Sequence, residues 1–123
     1  MRVINLASTL SNISEHWSPK IAGELNGQHV RLAKLKGEFV WHHHGNEDEL
    51  FLVLRGTLRL KTREEGRETE YRVAPGEFII VPRGVEHCPI ADDEVHVLLF
   101  EPASTLNTGN IENERTVREL GSV

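Results

Sequence analysis

Turn-forming residues cut this chain into short runs of alternating apolar and polar residues, and that rhythm restricts the fold more than any other feature. Asn26-Gly27, Gly56, Glu64-Glu65-Gly66, Ala74-Pro75-Gly76 and Pro82-Arg83-Gly84 each border a run rich in Leu, Val, Ile or Phe. Ile21–Leu25 and Val30–Leu35 flank Asn26-Gly27, the strongest short signal for a two-residue hairpin. Leu50–Leu54 is apolar at every position, which predicts a strand covered on both faces. Thr57–Arg63 alternates, with Leu58 and Leu60 predicted inward and Arg59, Lys61 and Arg63 outward. Thr69–Val73 and Phe78–Val81 read as further strands, the second stopped by Pro82. His87–Ala91 and Val95–Glu101 read as a final pair joined by Asp92-Asp93-Glu94. Short helices are weakly signalled at Leu6–Leu10, where an irregular arm is the alternative, and at Asn113–Leu120. No strand alternates with a ten-residue helical period, so the expectation is an all-β sandwich or barrel and not a doubly wound parallel sheet.

The chain's 123 residues suit one domain, expected to span residues 1–123. Lys and Arg number 14 against 19 Asp and Glu, and the basic residues are scattered, so neither nucleic acid nor an anionic membrane is the expected partner. No apolar run is long enough to span a bilayer, and none follows the first residues as a signal peptide requires. Cys88 is the one cysteine, which precludes an internal disulfide and suggests a reducing cytoplasm.

Histidine carries the chemical signal. Residues two apart on a strand point the same way, so His42 and His44 can aim two imidazoles into one cavity while His43 points away. Glu49 opens the next strand on the face shared by Phe51 and Val53, where a carboxylate is costly unless it meets a cation. His87, after the Pro82-Arg83-Gly84 loop, can complete a set of three imidazoles and one carboxylate. Singly, each of these residues is more often a surface or hydrogen-bonded group. Together, in a small β protein, they point to one divalent metal ion.

These residues carry a family resemblance. Gly37-(four residues)-His42-His43-His44-(four residues)-Glu49-(six residues)-Gly56, followed by Gly76-(five residues)-Pro82-Arg83-Gly84-(two residues)-His87, resembles the two motifs of the small single-domain cupins, including those labelled sugar-phosphate isomerase-like. The resemblance covers a core from about residue 37 to 102 and extends to the tail Thr105-Leu106-Asn107-Thr108-Gly109-Asn110. The gap after Gly37 is one residue shorter than the family pattern, and Ala91 stands where an Asn often closes the second motif. The resemblance implies a double-stranded β-helix (jelly-roll) barrel with a short N-terminal arm and a C-terminal tail, and His42, His44, Glu49 and His87 as metal ligands.

Three neutral imidazoles and a carboxylate leave a divalent ion near +1, with coordination positions open for a bidentate anion. The expected activity is that of a metal-dependent dioxygenase, isomerase or lyase on a small anionic metabolite. The metal would act as Lewis acid or O₂-binding centre, and iron, manganese, nickel, zinc, cobalt and copper all suit the donors. The alternative is a non-catalytic module that holds a metal or small ligand. Ligand histidines must be neutral, so metal loss is expected below about pH 6. Trp41, Phe51, Phe78 and Phe100 are candidate barrel-lining aromatics, His96 is either an inward proton carrier or a surface residue, and no general acid or base is assigned. Leu50, Leu52 and Leu54 face away from the metal and need a cover, either the N-terminal hairpin or a second subunit, so a homodimer is expected.

Overall fold

A computed structural model describes residues 1–123. Helix α1 (Leu6–Leu10) precedes β1 (Lys20–Leu25), β2 (Gln28–Glu38), β3 (Glu49–Arg55), β4 (Leu58–Glu64), β5 (Arg67–Val73), β6 (Phe78–Val81) and β7 (Glu86–Pro102). Asn5 caps α1 by accepting from Ser8 N at 2.9 Å, which resolves the N-terminal arm as one short helical turn. All strand pairing is antiparallel, in the order β1-β2-β7-β3-β6, with β4 pairing both β5 and β7. This is the jelly-roll architecture that the family resemblance implies, within the all-β class expected from the turn rhythm.

Strand β7 is the spine. The expected hairpin at Asp92-Asp93-Glu94 does not form: the chain runs on as one strand of 17 residues. No Gly, Pro or Asn stands there to reverse it. The acidic side chains stay on the surface and find polar partners, Asp92 on Arg59 at 2.9 Å and Glu94 on His16 at 2.8 Å. The register against β2 slips between Leu35 and Gly37. This irregularity turns the barrel's corner, because β7 pairs β4 before it and β3 after it.

The inward faces match the alternation. Phe51, Val53, Leu58, Leu60, Val97 and Leu99 are buried in one cluster, with Leu35, Val73 and Val81 among its other members. On the outside, Leu10, Ile13, Ala22 and Leu32 form a second cluster that covers Leu54 and Leu98. The N-terminal residues therefore supply part of the cover that the leucine face of β3 requires. Leu50 and Leu52 lie beyond it, opposite Ile80 and Phe78, which are 52% and 61% exposed. Phe78 thus lies outside the barrel rather than lining it, and Phe100, on the outer face with Leu50, is half-buried. Residues 113–120 form no helix; they fold as turns held by side-chain bonds, as where Asn107 accepts from Val117 N at 2.9 Å.

Candidate metal centre

Three local structures bring the histidines and Glu49 together. His42 and His87 form an isolated antiparallel bridge, His42 N donating to His87 O at 3.0 Å and His87 N to His42 O at 2.8 Å. Two imidazoles 45 residues apart in sequence thereby lie side by side, ring centres 4.3 Å apart. His44, two residues on, places its ring centre 5.1 Å from that of His42, and its carbonyl accepts from Gly84 N at 2.8 Å. Glu49, first residue of β3, points inward beside Phe51. All four are buried, and one donor atom from each lies within 4.8 Å of every other.

The tautomers are set by the backbone. His42 Nδ1 donates to Val40 O and His87 Nδ1 to Val85 O, each at 2.9 Å, so in each neutral ring Nε2 carries a lone pair. His87 Nε2 then faces Glu49 Oε1 at 3.3 Å, one acceptor against another. His44 Nε2 lies equally close to that oxygen, 3.3 Å, but is poorly aligned with it and has no hydrogen-bond partner although buried. Lone pairs and a carboxylate crowded together in a buried site call for a cation at their centre. With ligand bonds of about 2.0–2.2 Å, neighbouring donors on one ion sit roughly 3 Å apart, close to these separations. The donor set fits a divalent metal ion.

Electrostatics favour the binding-ready state at His42 and Glu49 and oppose it at His44. Burial, then the neighbouring His87, lower the His42 pKa from 6.5 to about 4. Burial also works against charge on His44, but its contact with Glu49 outweighs this and raises its pKa. Glu49 is held anionic: burial opposes ionisation, yet the Glu101 carboxyl and then His44 bring its pKa well below the usual range.

Glu101 was not foreseen as part of the site. It faces Glu49 one step beyond the Leu50–Phe100 pair of the β3–β7 ladder. Burial, then Glu49, raise its carboxyl well above the ordinary range. Its Oε1 accepts from Arg31 at 2.9 Å and its Oε2 has no other partner. Arg31 and Glu101 are each 1% exposed. Arg31 also donates to Thr105 O at 2.8 Å and Ala103 O at 3.0 Å. The available signal was parity: Arg31 shares a face with Ala33 and Leu35, and Glu101 with Val97 and Leu99. The other sequence candidates fall outside the centre. His96 is on the outer face, 3.2 Å from Glu94, and Trp41 lies under the Arg63 guanidinium at 3.8 Å.

A cavity of about 30 Å³ adjoins the centre, lined by His42, Glu49 and Glu101 on one side and by apolar residues including Leu35, Phe51 and Leu99 elsewhere. Trp17 and Phe39, stacked with ring centres 4.6 Å apart, form part of its wall. Trp17 is held by its indole N–H on Lys36 O at 2.7 Å. Trp17 has φ 58, a strained value for a bulky residue. Asn107 of the tail completes the lining.

A cupin domain model (Cupin_2) matches residues 28–101. The uncharacterized protein YdbB of Bacillus subtilis is 35% identical over 83 residues, 68% of this chain and 71% of that protein. Acireductone dioxygenase of Rhodopseudomonas palustris is 38% identical over 47 residues, 38% of this chain but only 28% of the enzyme. Among solved structures, a cupin-2 domain containing protein from Shewanella frigidimarina superposes with TM-score 0.76 at 39% identity, covering 81% of this chain and 94% of that one. Hydroquinone 1,2-dioxygenase from Sphingomonas sp. TTNP3 superposes with TM-score 0.75 at 18% identity, covering 84% and 33%, a likeness of fold. With both histidine motifs, the barrel and a family match over most of its strands, the chain belongs to the cupins.

Proposed function

We propose that His42, His44, Glu49 and His87 bind one divalent metal ion, and that the protein is an enzyme acting on a small anionic metabolite as a dioxygenase, isomerase or lyase. The observation that carries this reading is the buried, partnerless Nε2 of His44, directed with the His87 imidazole at one carboxylate oxygen of Glu49, with the His42 donor atom within 4.8 Å of all three. When bound, the metal supplies Lewis acidity or an O₂-binding centre. His42 and His87 present their Nε2 lone pairs because Val40 O and Val85 O take the other ring protons. Glu101 sets its carboxyl at the cavity wall, Oε1 held by Arg31 and Oε2 left free. Trp17 and Phe39 shield that wall from water. Local likeness to acireductone dioxygenase supports the oxygenase branch. The small cavity, about 30 Å³, favours the second reading, a module that holds a metal or very small ligand without turnover. A cytoplasmic homodimer, joined through the exposed face of β6, completes the proposal.

Metal-free protein titrated calorimetrically with Fe²⁺, Mn²⁺, Ni²⁺, Co²⁺ and Zn²⁺ tests the site. Wild type is expected to bind one equivalent of at least one ion, with affinity lowered at least about 100-fold in His87→Ala and Glu49→Gln. Unchanged affinity in both variants would sink the assignment. O₂ uptake or conversion of α-keto acids, α-hydroxy acids and diketones by the loaded protein, lost in His87→Ala, supports the enzyme. Stoichiometric metal with no turnover of these compounds selects the binding module.

A further inference from the structure

The tail after β7 crosses the loop that carries His42 and His44. Both backbone polar groups of His43, the residue between them, end on a single tail residue. His43 N donates to Asn110 Oδ1 at 2.8 Å, and Asn110 N donates to His43 O at 3.0 Å. The neighbours are held from elsewhere, His42 by His87 and the His44 carbonyl by Gly84 N. Residues 43 and 44 belong to no sheet ladder, so Asn110 serves His43 as a strand partner would. The approach is as close as backbones allow. A Cβ on Gly109, whose φ is +56, would lie 2.2 Å from His43 O and 3.0 Å from His42 Cδ2.

The tail is itself fixed. Arg31 holds the carbonyls of Ala103 and Thr105. Thr108, fully buried, donates to Ile111 O at 2.6 Å, and Asn107 donates to Arg115 O at 2.7 Å. A rigid tail gripping one peptide can set the φ and ψ of that residue. Between two ligands spaced i and i+2, those two angles decide how the imidazoles converge.

We propose that Asn110 is a positioning residue of the metal centre: gripping both polar groups of His43, it sets the angle at which the His42 and His44 rings meet, and Gly109 admits the contact. This rests on the metal reading above. Its consequence is that the tail, beyond the barrel strands, is part of the binding site.

The test uses full-length protein and Co²⁺, whose visible absorption reports ligand geometry at saturating metal. Asn110→Ala is expected to weaken Co²⁺ affinity about 10- to 100-fold and to shift the absorption bands even when fully loaded. Asn110→Asp, which keeps the acceptor for His43 N, is expected to retain the wild-type bands. Asn110→Ser, whose shorter side chain withdraws the acceptor from His43 N while the backbone donor to His43 O stays as in every variant, replaces Asn110→Ala if that variant does not fold, with the same expectation. A contribution to folding alone would lower the unfolding midpoint and leave the loaded spectrum unchanged; that result, or unchanged affinity in the Ala or Ser variant, overturns the inference. Wild type that takes up no Co²⁺ or any other tested ion would instead overturn the metal reading, and the inference with it.

Discussion

His42 shows how a single buried group ties the site to stability. As pH falls through 6.5 the unfolded chain protonates this residue, whereas the folded protein keeps it neutral until about pH 4. Its contribution is therefore complete above pH 6.5 and is lost progressively between 6.5 and about 4. At about 1.4 kcal/mol per pH unit, the whole window is worth up to roughly 3 kcal/mol. Glu49, with its pKa lowered, adds a loss of the same sign below pH 4.5. His44, with its pKa raised, works the other way: its contribution is present below 6.5 and disappears as pH rises through its folded value. Urea unfolding of metal-free protein from pH 7.5 to 4.5 is expected to show a steeper loss for wild type than for His42→Gln, in which this titration is absent. Parallel curves would contradict the assigned shift.

At the scale of elements, the β3–β4 turn and the long β7 depend on each other. Gly56 adopts φ +78, and a Cβ there would lie 2.7 Å from Glu94 O and 3.1 Å from Val95 Cγ2. The turn thus packs on β7 at the irregular register that redirects it from β4 to β3. Gly56→Ala combines left-handed strain with a backbone clash, and a loss of at least about 1–3 kcal/mol is expected by urea denaturation. A midpoint within error of wild type would show that the close approach relaxes freely. Within β4, Leu60 is fully buried in the main cluster, and Leu60→Ala is expected to cost about 2–5 kcal/mol in the same measurement.

For the whole molecule, the open surface is the outer face of β3 and β6. Phe78 and Ile80 stand exposed beside Leu52 and Leu50 on the last strand of the sheet path, with Phe100 next to them across β3. An apolar sheet face with an unpaired edge is the surface by which a second copy would dock. Light scattering at micromolar concentration is expected to give twice the chain mass of 13.9 kDa, and Phe78→Glu with Ile80→Lys to give the single-chain mass. A wild-type monomer refutes the dimer.

Much was legible before any coordinates, because alternation has a period that a reader can follow. The parity of Leu58 and Leu60 against Arg59 and Lys61 sets their faces, and the same rule places Glu49 with Phe51 and His42 with His44. That parity put His42 and His44 on one side, whereas the two spaced motifs and the jelly-roll they imply rest on the resemblance to the cupins. Three features were decided only by the tertiary structure. The Arg31–Glu101 pair joins residues 70 apart in sequence across the β2–β7 ladder, so parity could show that each points inward but not that they meet. The continuity of β7 sets its acidic residues beside Arg59 and His16, which reach them from other segments. The grip of Asn110 on His43 needs a chain crossing 67 residues later. Local stereochemistry repeats along a strand and is written in the sequence; which distant segments meet is settled only when the whole core closes.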